Sequence, residues 1–164
     1  MGADLNRGLL TFSDAKPIGE DGLYWLKVHF ANKWGRDKLP LIERRVAVLG
    51  LAFKANTDDI RSAASTVIAP LLIKQGAQVI GFDPEAADAA RDAIDHIETT
   101  TDLDEALTGA EVAVVLTEWD EICAIDWAEK KKLMASPVVV DLRNLYDTDA
   151  MAELGIHYSS LGRP

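Results

Sequence analysis

A chain of 164 residues, 48% hydrophobic and 27% charged, is long enough to bury a core of its own and has the composition of a globular domain. Its net charge of −10 speaks against a nucleic-acid partner, which needs clustered Lys and Arg, and no apolar run is long enough to span a membrane. Cys123 is the only cysteine, so an intrachain disulfide is excluded.

The opening residues carry no basic segment followed by an apolar core, and Asn6 fills the Ser/Thr slot of a myristoylation pattern. The expectation is a cytoplasmic protein without a secretory signal. Residues 1–21 are polar and read as an arm. From Gly22 to Lys38, Leu23, Leu26, Phe30 and Trp34 recur three to four apart and predict a helix, with Tyr24, Trp25 and Val28 forming a second apolar flank. Such a helix packs either on the domain's own sheet or on another domain or subunit. Residues 1–44 are therefore taken as an N-terminal arm and helix, and residues 45–164 as the principal domain.

From Val46 a regular alternation begins. The apolar runs Val46–Leu49, Val79–Phe82, Val112–Leu116 and Val138–Val140 predict buried parallel strands, with weaker runs at His96–Glu98 and Ile156–Tyr158. Helical segments lie between them. One is expected from about Ala63 to Gln75, with some distortion at Pro70 even if it starts late, near Ser65. Asp83 is expected to cap the next helix ahead of Pro84. Thr101 is expected to cap 102–108, and Asp126 to cap Trp127–Met134. Gly155 closes a helix over Thr148–Leu154. Repeated β-α units predict an α/β fold, a Rossmann-like doubly wound parallel sheet with helices on both faces.

In such a sheet ligands sit beyond the carboxyl ends of the strands. The connection after Leu49 holds Gly50, Lys54, Asn56, Thr57, Asp58, Asp59 and Arg61. Two cations at that mouth suggest an anionic ligand, and in an acidic chain Lys54, Arg61 and Arg143 are the candidates for holding it. Asp58 and Asp59 are read as loop-fixing or capping residues rather than a metal pair. Asp83 stands where a dinucleotide-binding fold keeps its ribose-binding acid, but the first turn reads Gly50-Leu-Ala-Phe-Lys and lacks the phosphate-cradling glycines. Capping is the preferred role. Trp119 and Asp120 follow a strand end, Trp119 as packing. His29, His96 and His157 show no ligand spacing, and Cys123 is expected to be buried packing.

The stretch Gly50-Leu-Ala-Phe-Lys-x-Asn-Thr-Asp-Asp-x-Arg61 resembles the opening of the C-terminal, nucleotide-sugar-binding domain of UDP-glucose 6-dehydrogenase, in the UDP-glucose/GDP-mannose dehydrogenase family. Thr117-Glu-Trp-Asp-Glu121 and Val140-Asp-x-Arg-Asn-Leu-Tyr-Asp147 resemble later motifs of the same domain in the same order. The resemblance covers roughly residues 45–164. It implies that Phe53, Lys54 and Arg143 contact a UDP-sugar and that Arg61 reaches an NAD held mainly by another domain. It implies as partners a UDP-sugar, NAD, and the dehydrogenase half absent from this sequence or a second subunit, with homodimers usual in the family. The hydride-transfer glycines and the family's Gly-x-Cys-x-Pro-Lys segment are absent, so the chain is expected to bind and not to catalyse alone. A stand-alone nucleotide-binding module, or a relative acting on GDP-mannose or UDP-N-acetylmannosamine, are the alternatives.

Overall fold

The computed structural model of the protein describes residue 41 and residues 43–161. The predicted arm and the predicted helix over 22–38 lie outside the described residues. Six strands form one sheet: β1 (Arg45–Leu49), β2 (Gln78–Phe82), β3 (Glu98–Thr100), β4 (Val112–Val115), β5 (Val138–Asp141) and β6 (His157–Ser160). Every pairing is parallel and the order is β3-β2-β1-β4-β5-β6. This is the doubly wound arrangement, in which the chain leaves β1 toward one edge and, from β4 onward, builds toward the other.

Strand alternation divides the core in two. Val46 and Val48 of β1 face one cluster, with Ile68, Ala69, Leu72, Ala90 and Ile94. Ala47 and Leu49 face the other, with Ala106, Leu107, Ile122, Trp127 and Met151. The first cluster is thus covered by α1 (Ser65–Lys74) and α2 (Ala87–Ala93). The second is covered by α3 (Leu103–Leu107), α4 (Asp120–Cys123), α5 (Trp127–Lys130) and α6 (Thr148–Glu153). Both faces of the central strands are buried, which is why those strands read as continuous apolar runs. Leu41 also joins the first cluster, and the Glu43 amide donates to the Gly76 carbonyl at 2.8 Å.

Helix α1 starts at Ser65 and tolerates Pro70. Pro70 faces outward, and the bond it cannot donate would have gone to the carbonyl of Thr66 four residues earlier. Two end signals differ from expectation. Asp102, not Thr101, caps α3: its Oδ1 accepts from the amides of Asp104 at 2.8 Å and Glu105 at 3.3 Å. Asp126 caps α5 as expected, through the Ala128 amide at 3.0 Å, but regular helix stops at Lys130 and turns carry the chain onward. The weak strands begin one or two residues later than their apolar runs. Among the described residues, no helix is long and apolar enough to cross a membrane.

Candidate functional site at the carboxyl edge of the sheet

The crossover point lies between β1 and β4. Its geometry starts at Gly50, whose φ of 90° is one that side-chain-bearing residues rarely adopt. A Cβ there would stand 2.4 Å from the Thr117 Cβ and 2.8 Å from the Thr117 amide nitrogen. Only glycine lets the end of β1 pass so close to the end of β4. The contact is sealed by the Thr117 hydroxyl, which donates to the Ala52 carbonyl at 2.8 Å.

Asp83, at the end of β2, is fully buried and fixes the same corner. Its Oδ2 accepts from the amides of Leu51 at 2.7 Å and Ala52 at 2.9 Å, and from the Trp119 indole N–H at 3.0 Å. Its Oδ1 accepts from the amides of Glu85 at 3.0 Å and Ala86 at 2.8 Å. Those Oδ1 bonds close the turn ahead of α2, whose N-cap position is Ala86 with no side-chain bond, so the expected helix capping by Asp83 is not made. Three further donors come from the loops after β1 and β4. A carboxylate so occupied has nothing left for a ribose hydroxyl.

Beyond Ala52 the loop opens to solvent. Phe53 is 56% exposed, an unusual place for a phenyl ring, and Lys54 is exposed without an ion pair to any described residue. The Phe53 amide donates to the Asp59 carbonyl at 2.8 Å, and the Asp59 amide to the Thr57 hydroxyl at 3.1 Å. Asn56 and Ser62 take positive φ values of 61°. Asp59 also receives a forked pair from Arg61, Nε to Oδ1 at 2.9 Å and an outer guanidinium nitrogen to Oδ2 at 2.7 Å. Arg61's hydrogen bonds hold the Asp59 carboxyl down at about 2, well below the ordinary 3.8. Asp59 therefore fixes the loop and orients an arginine that is 89% exposed. It does not cap α1, whose N-cap position is Ala64 with no side-chain bond.

The end of β5 repeats the device. Asp141 is fully buried. It accepts from the amides of Arg143 at 2.8 Å, Leu145 at 2.7 Å and Tyr146 at 3.3 Å, and from the Tyr158 hydroxyl at 2.8 Å. Burial, reinforced by Asp141, pushes the Tyr158 phenol well above its usual range. Tyr146 packs edge-on against Trp127 with ring centroids 5.6 Å apart, and its hydroxyl donates to the Ile122 carbonyl. The Arg143 side chain leaves this pinned turn and pairs with Glu118, just beyond β4.

The structure thus places Phe53 and Lys54 after β1 and Arg143 after β5, on loops flanking the end of β4. Arg61 stands at the outer end of the same β1 loop. Trp119 is buried as expected. Cys123 is exposed on α4, not buried in packing. Partial burial and the nearby carboxylates of Asp120, Glu118 and Asp141 push its thiol up, which disfavours a nucleophilic thiolate. His96 lies just before edge strand β3, His157 opens the opposite edge strand β6, and His29 lies outside the described residues. The roles of Asp83, Asp141 and Glu118 exceed what their sequence context announces. For Asp83 and Asp141 the available signal was an acid set directly at the end of an apolar run; Glu118, set beyond Thr117, carried no such signal.

Comparisons with known proteins identify the family. Residues 47–148 match a family model described as the UDP-glucose/GDP-mannose dehydrogenase family, UDP binding domain. A model described as DNA-dependent RNA polymerase matches residues 16–71, a stretch that includes β1 and ends inside α1. The UDP-glucose 6-dehydrogenase of Rhizobium meliloti (strain 1021) is 42% identical over 120 residues, 73% of this chain and 28% of that protein. UDP-glucose 6-dehydrogenase TuaD of Bacillus subtilis (strain 168) is 38% identical over 122 residues, 74% of this chain and 26% of its own length. Among solved structures, the NDP-N-acetyl-D-galactosaminuronic acid dehydrogenase of Methanosarcina mazei Go1 aligns with a TM-score of 0.72 at 28% identity, over 99% of this chain and 33% of that one. A UDP-glucose dehydrogenase of Pyrobaculum islandicum aligns with a TM-score of 0.60 at 28% identity, over 84% and 29%. The chain therefore spans little more than a quarter of the curated relatives it matches.

Proposed function

The chain belongs to the UDP-glucose/GDP-mannose dehydrogenase family, and we propose that it supplies the part of such an enzyme that grips the UDP end of a nucleotide sugar. The observation that carries this is the placement of Lys54 and Arg143 on the two loops that flank the end of β4. A diphosphate is the anion such a pair suits. The lysine offers a mobile point charge, and the guanidinium a rigid fork that can bind two oxygens. Phe53, exposed beside Lys54, offers an apolar face for the sugar or base. The domain doing this is the one beginning near residue 45.

NAD fits this sheet poorly as a resident cofactor. The turn after β1 is not glycine-rich, and the Asp83 carboxylate is consumed by five protein donors. When bound to the whole enzyme, NAD would accept the hydride removed from the sugar alcohol. In this reading its main pocket belongs to the remainder of the enzyme or to a second subunit, and Arg61 reaches it only from the rim. The chain alone binds and does not oxidise. UDP-glucose is the proposed sugar nucleotide, on the strength of the curated relatives. The fit to the N-acetyl-D-galactosaminuronic acid dehydrogenase supports a related sugar as the second reading.

Calorimetry with UDP, UDP-glucose, GDP-mannose and NAD tests this directly. UDP is expected to bind more tightly than NAD. Lys54→Ala or Arg143→Ala should each weaken UDP about tenfold to a hundredfold, from the roughly 1.5–3 kcal/mol of a charge-assisted contact. Lys132→Ala, at an exposed residue paired among the described residues with Glu129 in its own turn, should leave UDP binding unchanged. NAD binding without UDP binding, or wild-type affinity in both site variants, would place the nucleotide elsewhere.

A further inference from the structure

The two arginines at the carboxyl edge are held differently. Arg61 is forked onto Asp59, two residues away in its own loop, by well-formed hydrogen bonds. Arg143 instead pairs with Glu118, which belongs to the connection after β4. The Arg143 side chain is 41% exposed and that of Glu118 35%, so solvent reaches both only in part. The Oε2 atom that touches Arg143 is itself shut off from water, yet receives no well-directed hydrogen bond. It is a close ionic contact with poor directionality. Its backbone supports are firm on both sides. Trp119, next to Glu118, is pinned by its indole to Asp83, and the amide of Arg143 is pinned to Asp141. The side chains alone are left free to exchange partners.

We propose that Glu118 is an internal competitor for the anionic ligand: it occupies the Arg143 guanidinium in the free chain and gives it up to a diphosphate. This rests on the UDP-binding reading above and adds to it the residue that sets affinity. A carboxylate with no directed hydrogen bond is a weaker partner for a guanidinium than a pyrophosphate able to accept two parallel N–H bonds. Exchange therefore favours the ligand, but binding is weakened by whatever the ion pair contributes. Neutralising Glu118 while keeping its shape should remove that competition. It should also remove a negative charge facing the incoming phosphates. Glu118 is thus a residue that tunes affinity without touching the ligand favourably, the opposite of what its place beside the site first suggests.

The test uses the full chain, with Glu118→Gln and Glu118→Ala, in two measurements. In the first, UDP and inorganic pyrophosphate are titrated by calorimetry. Both variants should bind each probe about three- to tenfold more tightly than wild type, since a partly exposed pair is worth a modest fraction of the site's energy. The gain should vanish in the Arg143→Ala background. In the second, no ligand is present. Phenylglyoxal modification of Arg143 is followed by peptide mapping, with Arg61 as internal reference. Arg143 should react several-fold faster in the Glu118 variants, and Arg61 at an unchanged rate. Unchanged or slower Arg143 modification overturns the proposal whatever the nucleotide does. Wild-type UDP binding that stays the same or weakens in Glu118→Gln also overturns it, while the UDP-binding reading stands. Faster Arg143 modification together with no UDP binding in any variant supports the internal pair and overturns the nucleotide reading instead.

Discussion

Asp83 and Asp141 end strands on opposite sides of the sheet's centre, and both are wholly buried carboxylates wrapped in N–H donors. What they hold differs. Asp83 gathers donors from three separate segments: the loop after β1, its own turn, and the connection after β4. Asp141 gathers three amides from its own turn and one hydroxyl from β6. The first is a crosslink between strands that are distant in sequence. The second is an organiser of one loop. A buried charge can be tolerated in either role because hydrogen bonds to the charged form replace the lost hydration. The difference lies in how far its loss should spread.

Replacing Asp83 is the harshest way to break the comparison. Asp83→Ala strands amides from both flanking loops together with the Trp119 indole, and should cost about 3–5 kcal/mol, since each buried unsatisfied donor carries about 1–3 kcal/mol and some will find water. Urea unfolding measures this. Hydrogen exchange should show lost protection at Leu51 and Ala52 as well as at Glu85 and Ala86. Asp141→Ala should cost less, about 2–3 kcal/mol, because part of its turn can rehydrate locally. Its exchange effects should stay between Arg143 and Tyr146, leaving Leu51 and Ala52 protected. If both variants loosen the loop after β1 equally, the distinction between crosslink and organiser fails.

The smallest effect sharpens the contrast with an exposed carboxylate. Asp59 is held near 2 by a solvent-facing arginine, not by burial. Its folded value lies below the unfolded one, so the associated stability is complete above the ordinary 3.8 and disappears as pH falls through about 2. Arg61→Ala should raise the Asp59 carboxyl toward the ordinary range in a carbon-13 NMR titration, part of the way only, because the amide of residue 61 still donates to Oδ1. Stability at neutral pH should barely move, as expected for a surface pair. An Asp59 that still titrates near 2 in this variant would mean that the residue-61 amide, not the guanidinium, sets its value.

Much of this fold was readable from residues alone. Val46–Leu49, Val79–Phe82, Val112–Leu116 and Val138–Val140 announced the four central strands because burial on both faces leaves no polar alternation. The edge strands were displaced because β3 is polar throughout, β6 nearly so, and both are short. The cap of α3 went to Asp102 instead of its neighbour because Thr101 and Asp102 are both competent, and only backbone geometry chooses between them. The cations of the candidate site were legible as charges near strand ends. Their partners were not. Glu118 and Arg143 are 25 residues apart in the chain, and Asp83 reaches Trp119 across 36 residues. Such pairs exist only once the strand order is known. Cys123 was misplaced for a related reason: a short helix has few inward positions, and Ile122 takes the buried one in α4.

The seating of Gly50 against Thr117 also governs when the site comes into being. Thr117 and Ala52 are 65 residues apart, and the chain between them must lay β2 and β3 on one side before β4 returns to β1. Closing so long a loop costs entropy that no local contact offsets beforehand. The corner beneath Lys54 is therefore expected to condense with the docking of β4 and not with the helix that follows it in sequence, which a slower gain of hydrogen-exchange protection at Ala52 than in α1 during refolding would check. A chain paused with β1, β2 and β3 assembled holds half a sheet and no ligand mouth. Nucleotide added during refolding would meet its loop only after the central crossover had closed, so it would slow unfolding of the finished domain without hastening its formation.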